Sequence, residues 1–114
     1  MKFINRCVVT LRPKPAFIEW IKSIDVEIPE IWDFEGGAYL FDEQETDESL
    51  LAELEKKAEE ILENEFSVWT EDSSQWPVSR DFAYLKQHFT FHIAIAAFDL
   101  GREQLLRADV AGLL

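Results

Sequence analysis

Phe3, Asn5, Cys7, Val9 and Leu11 alternate with Ile4, Arg6, Val8 and Thr10, a period of two that predicts a first strand over 3–11. Both faces carry apolar groups, so the strand is expected to be central and covered at least in part on each side. Pro13 and Pro15 end it, since neither can donate to a ladder, and Pro15 is placed to open a helix. Phe17, Ile18, Trp20, Ile21 and Ile24 then follow the stripe of a short amphipathic helix. Residues 25–37 read as a loop pinned by Ile31, Trp32 and Phe34 and closed by Gly36-Gly37. Ala38–Phe41 is the second strand, and the strand-helix-strand order predicts a right-handed crossover with the two strands parallel.

The strongest periodicity follows. Leu50, Leu51, Leu54, Ala58, Ile61, Leu62 and Phe66 form one stripe, which predicts a single long helix capped by Thr46 or Asp47. Glu53 with Lys57 is an attractive i, i+4 pair and Glu59 with Glu63 a repulsive one, so the packed stripe must hold the helix. Residues 67–70 read as a short strand around Val68. Ser79 is expected to cap a helix over 80–88, with Phe82, Leu85 and Phe89 inward. Residues 90–98 alternate as a long strand, and the small Ala94 and Ala96 on its second face predict a helix packed there. From Arg102 to Leu114 the spacing of Leu105, Leu106, Val110, Leu113 and Leu114 suits a C-terminal helix or tail. The fold class is α+β, in the order β-α-β-α-α-β. It predicts a three- or four-stranded mixed sheet packed by helices, in one domain spanning 1–114.

Charge changes this picture most. The chain of 114 residues carries 23 acids against 11 basic groups, a net charge of −12. Residues 25–72 hold eighteen acids and two lysines, whereas residues 1–24 are mildly basic. With 47% hydrophobic and 13% aromatic residues the chain has material for a core and is no disordered acidic tail. The balance opposes direct nucleic-acid binding and docking on anionic lipid. No apolar run approaches the roughly 18 residues of a membrane span, and the opening lacks a signal-peptide core. Cys7 stands alone, so no internal disulfide can form. A cytoplasmic location is the expectation.

Candidate chemistry is sparse. His88 and His92 are four apart, but on a strand that is about 13 Å, too far to share an ion. Cys7, between apolar neighbours, reads as a buried structural thiol. Asp42 to Asp47 with Glu53 resembles a calcium loop but lacks its central glycine. Neither a phosphate loop, nor a dinucleotide fingerprint, nor a nucleophile elbow is present, and no metal or cofactor is called for. Trp69, Trp76 and Arg80 stand close together. They read either as an exposed hot spot or as plugs between helices, with Arg80 paired to Asp81 or to the acidic helix.

The run Arg6-Cys7-Val8-Val9-Thr10-Leu11-Arg12-Pro13-Lys14-Pro15-Ala16-Phe17-Ile18-Glu19-Trp20 resembles the opening of a group of small acidic bacterial proteins of unknown function. The similarity continues through the acidic middle helix, Trp76-Pro77-Val78-Ser79-Arg80 and Phe98-Asp99-Leu100. It implies a bacterial cytoplasmic protein and brings no activity, cofactor or catalytic residue.

The expected function is a non-enzymatic interaction or regulatory module presenting an acidic helix surface to a basic protein partner. Glu45, Glu48, Glu55, Glu59 and Glu63 form the candidate acidic face, with Trp32, Trp69, Trp76 and Arg80 as anchors. One version would mimic the nucleic-acid backbone. The alternative is a small enzyme with a dispersed site around Arg80, Asp81, His88 and His92. Leucines near 105 and 113 would serve a homo-oligomer if exposed.

Overall fold

The computed structural model describes residues 1–28 and 36–110. Trp32, Ile31 and Phe34, and Leu113 and Leu114 at the end, lie outside the described residues. The elements are β1 (Lys2–Ile4), β2 (Arg6–Pro13), α1 (Pro15–Ser23), β3 (Ala38–Asp42), α2 (Asp47–Lys56), α3 (Ala58–Ser67), a short 3-10 turn (Ser73–Gln75), α4 (Phe82–His88), β4 (Phe89–Ala94) and β5 (Ala97–Asp99). This is an α+β fold with a three-stranded sheet in the order β3-β2-β4 and a two-stranded ribbon of β1 and β5.

Both long strand predictions are broken by the same device. Ile4 faces Ala97 and Val8 faces Ala94, so three residues, 5–7, oppose two, 95–96. One strand carries an extra residue, a bulge, and the ladder divides there into sheet and ribbon. Phe3 and Phe98, 60% and 56% exposed, pair edge-to-face across the ribbon.

The parallel crossover is overturned: β3 pairs with β2 antiparallel, Arg6 opposite Asp42 and Thr10 opposite Ala38. The 24 residues between β2 and β3 would suffice for a parallel crossover, so the direction is decided by where the chain docks. The chain re-enters beside the end of β2, where Gly36 N–H donates to Leu11 O at 2.7 Å.

Helices cover one face of the sheet. Cys7, Val9, Leu11 and Phe89 are buried on that face with Phe17 and Ile21 of α1, Leu50 and Leu54 of α2, Ile61, Leu62 and Phe66 of α3, and Leu85 of α4. Thr10, His92 and Ala94 on the other face are exposed, so no helix packs against Ala94 or Ala96 among the described residues. The small side chains there leave a face too poor in apolar area to recruit a second layer.

The predicted long helix divides at Lys57, whose N–H is shared between Glu53 O at 3.2 Å and Leu54 O at 3.1 Å. The apolar stripe survives the break, and Thr46 caps α2 by accepting from Ser49 N–H. Glu53 now meets Lys56 at 3.1 Å, not Lys57, which turns to Glu60 at 3.7 Å. Val68 lies in the turn after α3, not in a strand. Asp81, not Ser79, caps α4, accepting from Tyr84 N–H at 2.9 Å. Residues 101–109 contain no helix and are exposed throughout, Leu105 and Leu106 included. No helix among the described residues is long and apolar enough to cross a membrane.

Candidate functional site

A cleft of about 880 Å³ opens between β3 and the paired helices α2 and α3. Tyr39 and Phe41 reach it from the helix-covered face of β3, and Leu40 and Asp42 from the open face. Lining from both faces of one strand means that the cleft wraps the strand's free edge. Asp42, Glu53, Glu60 and Glu63 supply carboxylates, and Lys57 is the cation among its lining residues. Ile61, Trp76 and Val110 add apolar wall.

Behind Tyr39 and Asn64, which line the cleft, is a buried carboxylate. Glu65, 2% exposed, occupies the apolar stripe between Leu62 and Phe66. Tyr39 Oη–H donates to its Oε2, as does Gly37 N–H at 3.2 Å, while Asn64 Nδ2 donates to Tyr39 Oη at 3.0 Å. Burial pushes the Glu65 carboxyl above its ordinary value of 4.5, opposed by the hydrogen bonds from Tyr39 and Gly37. Burial likewise raises the Tyr39 phenol, with the Glu65 charge adding to the shift. This group ties the start of β3 to α3. A Cβ on Gly36 would lie 2.6 Å from Glu65 Oε1 and 2.9 Å from Leu11 Cβ, so glycine is required by the close approach.

The predicted acidic face is distributed. Glu45, Glu48, Glu55 and Glu59 are exposed, the first two beside the α2 cap and the latter two lining a shallow hollow against Arg80 and Asp81. Glu63 is engaged: its Oε1 accepts from Arg80 Nη1 at 2.8 Å. Arg80 also donates to Pro77 O and lies 5.7 Å above the Trp76 ring. Trp76 is half-buried against Phe66 and donates from Nε1 to Thr70 O at 2.9 Å. Trp69 is half-buried and packs on the same core. Of these anchors only Trp76 reaches the cleft.

The residues of the dispersed enzyme reading are not brought together. Asp81 caps the start of α4 and His88 ends it, about 10 Å along the axis for seven residues. His88 stacks on Tyr84 at 3.6 Å, with Nδ1 2.9 Å from Tyr84 O, and the Tyr84 hydroxyl is pushed up to about 12 by burial. His92 stands exposed on the open face of the sheet. No group of three or more metal-ligating side chains converges among the described residues. Cys7 is buried, its Sγ accepting from Gln44 N–H at 3.2 Å, where it holds the turn from β3 into α2.

Sequence reasoning missed Tyr39, Leu40, Asp42, Glu53, Glu60, Asn64 and Glu65 as one constellation. A signal existed for Glu65 alone, an acid on an otherwise apolar stripe. The others are assembled by the antiparallel return of β3. In comparisons with known proteins, no family model, no curated protein and no solved structure matches the chain.

Proposed function

We propose that the protein is a non-enzymatic interaction module whose acidic helical layer, formed by α2, α3 and the cleft beside them, receives a basic protein partner. One observation carries the reading. The cleft combines an apolar wall with Asp42, Glu53, Glu60 and Glu63, the three glutamates pairing at its rim with Lys56, Lys57 and Arg80, while Glu45, Glu48, Glu55 and Glu59 extend the same sign of charge over the neighbouring helical surface. A surface of one sign beside a concave apolar wall accelerates encounter with an opposite charge and rejects like-charged competitors.

The test separates this surface from bulk charge. One variant changes Glu45, Glu48, Glu55 and Glu59 to Gln; a control of equal net charge changes the exposed Glu27, Glu71, Glu103 and Asp109 to their amides. The wild-type chain, immobilised in a lysate of its source cell, is expected to hold a basic protein that salt releases. The control should retain that protein and the helix-face variant should lose it. Equal loss from both variants, or retention indifferent to salt, refutes the reading.

A further inference from the structure

The geometry points to the mode of docking: β3 accepts an extended segment of alternating basic and apolar residues, which adds to the three-stranded sheet as a fourth strand. This rests on the basic-partner reading above and specifies what the partner presents.

Among the described residues no strand lies on the outer side of β3, and that edge can be assigned residue by residue. In an antiparallel ladder, alternate residues direct both backbone groups to the same neighbour. Leu11 N–H donates to Gly37 O at 3.3 Å, while Lys14 N–H donates to His88 O at 2.8 Å in continuation of the β2–β4 register. Odd-numbered residues of β2 therefore bond to β3 and even-numbered ones to β4. Across the register, Tyr39 and Phe41 bond inward, and the N–H and C=O groups of Ala38, Leu40 and Asp42 point away from the sheet. Leu40 and Asp42 line the cleft, and the Asp42 carbonyl already accepts from Gln44 Nε2 at 3.4 Å. Within Ala38-Tyr39-Leu40-Phe41-Asp42 the edge has no lysine, no proline and no bulge; the charge of Asp42 and the two-to-one pairing of Gly36 and Gly37 with Leu11 stand at its ends. Leu40 is 51% exposed beside it.

The two faces of an added strand would meet different surroundings. On the helix side its side chains would face Glu53, Glu60 and Glu63 over the rings of Tyr39 and Phe41, a setting for the long apolar stems of Lys or Arg, whose charged heads would share these carboxylates with Lys56, Lys57 and Arg80. On the open side they would lie beside Leu40, where an apolar side chain makes the favourable cross-strand pair. A second copy fits poorly, because pairing β3 with β3 would set two acidic rims of chains of charge −12 against each other.

The probe is the octapeptide Val-Lys repeated four times, added to the isotopically labelled full chain and followed by amide chemical shift and hydrogen exchange. Its comparators are the same peptide N-methylated on its Val amides, the same peptide N-methylated on its Lys amides, an oligolysine of equal charge, and an octapeptide alternating Val with Thr. The expected result is slowed exchange at Ala38, Leu40 and Asp42, with one N-methylated form binding like the parent and the other about tenfold more weakly. Leu40→Lys, at a side chain 51% exposed, should keep the thermal transition of the wild type and weaken the parent peptide about as much as the disruptive N-methylation does.

Equal binding by both N-methylated forms, or by oligolysine with shifts spread over 45–59, overturns strand addition and leaves the acidic-surface reading standing. Equal binding by the Val-Thr peptide at β3 keeps strand addition and removes the requirement for a basic segment. Protection of Ala38, Leu40 and Asp42 in the chain alone means that the chain itself or a second copy occupies the edge, and overturns the proposal. Absence of binding by every basic peptide at low salt overturns both readings.

Discussion

The two flanks of α3 seal against their neighbours with opposite chemistry. Toward α1 and α4, Phe66 is ringed by Trp20 at 5.0 Å, Tyr84 at 5.9 Å, and Phe17 and Trp76 at 6.1 Å. Toward β3, Glu65 is held by Tyr39 and Gly37, with Asn64 steadying the phenol. The first flank is a non-directional apolar contact, indifferent to pH and tolerant of small shifts. The second is a set of directed bonds around a buried carboxylate, and it depends on one glycine. The open cleft borders the second flank. Cleft and polar seam therefore share Tyr39 and Asn64, while the aromatic joint supports both from behind.

Removing the ring at the centre of the apolar flank should cost most. Phe66→Ala is expected to destabilise the chain by about 3–5 kcal/mol, read as the shift in urea midpoint; a loss below about 1 kcal/mol would show that the surrounding rings collapse into the gap. On the polar flank, Gly36→Ala should cost about 1–3 kcal/mol, because the added methyl meets Glu65 Oε1 and Leu11 Cβ inside normal contact. A neutral Gly36→Ala would mean that this approach is looser than 2.6 Å.

The proton gives a sharper contrast. Because burial raises the Glu65 carboxyl above 4.5, the folded chain binds this proton more tightly than the unfolded one. Its stabilising effect is complete below the ordinary value and is lost as pH rises through the folded-state value. Thermal scans at successive pH values should show wild type losing stability relative to Glu65→Gln across that window. The corresponding difference for Phe66→Leu should be flat. A difference for Glu65→Gln that is equally flat would show that burial does not raise the Glu65 carboxyl.

The smallest effect belongs to Glu63, two residues from Glu65 on the same helix. Its pair with Arg80 is partly exposed on both sides, so a double-mutant cycle on Glu63→Gln and Arg80→Gln should return about 0–1 kcal/mol and shrink with salt. A larger coupling would mean that the cation over Trp76 is part of the joint and not a surface addition.

How legible each flank was follows from the same difference. Leu50, Leu54, Ala58, Ile61, Leu62 and Phe66 declared one buried side by their spacing alone, and Pro15 marked the start of α1. Burial of Cys7 and the inward set of Leu85 and Phe89 were likewise readable, because periodicity reports which side of an element is apolar. The break at Lys57 left no mark, since nothing in Glu55-Lys56-Lys57-Ala58 prevents a continuous helix. Trp69, Trp76 and Arg80 were visible as a cluster, yet which acid Arg80 meets depends on how α3 and α4 pack.

By itself, then, the sequence determined the α+β class, the main elements, the side each buries and the concentration of acid in the middle of the chain. Tertiary structure alone decided that β3 runs antiparallel, that a bulge splits sheet from ribbon, that one sheet face stays open, and that Tyr39, Asn64 and Glu65 meet beside a cleft. The physical reason is one of range. Spacing along the chain encodes local preference within a few turns or strand repeats. Strand direction and edge exposure depend on where the chain after α1 docks, here through Gly36 and Gly37 on Leu11, a contact between residues far apart in sequence that exists only once the elements are placed together.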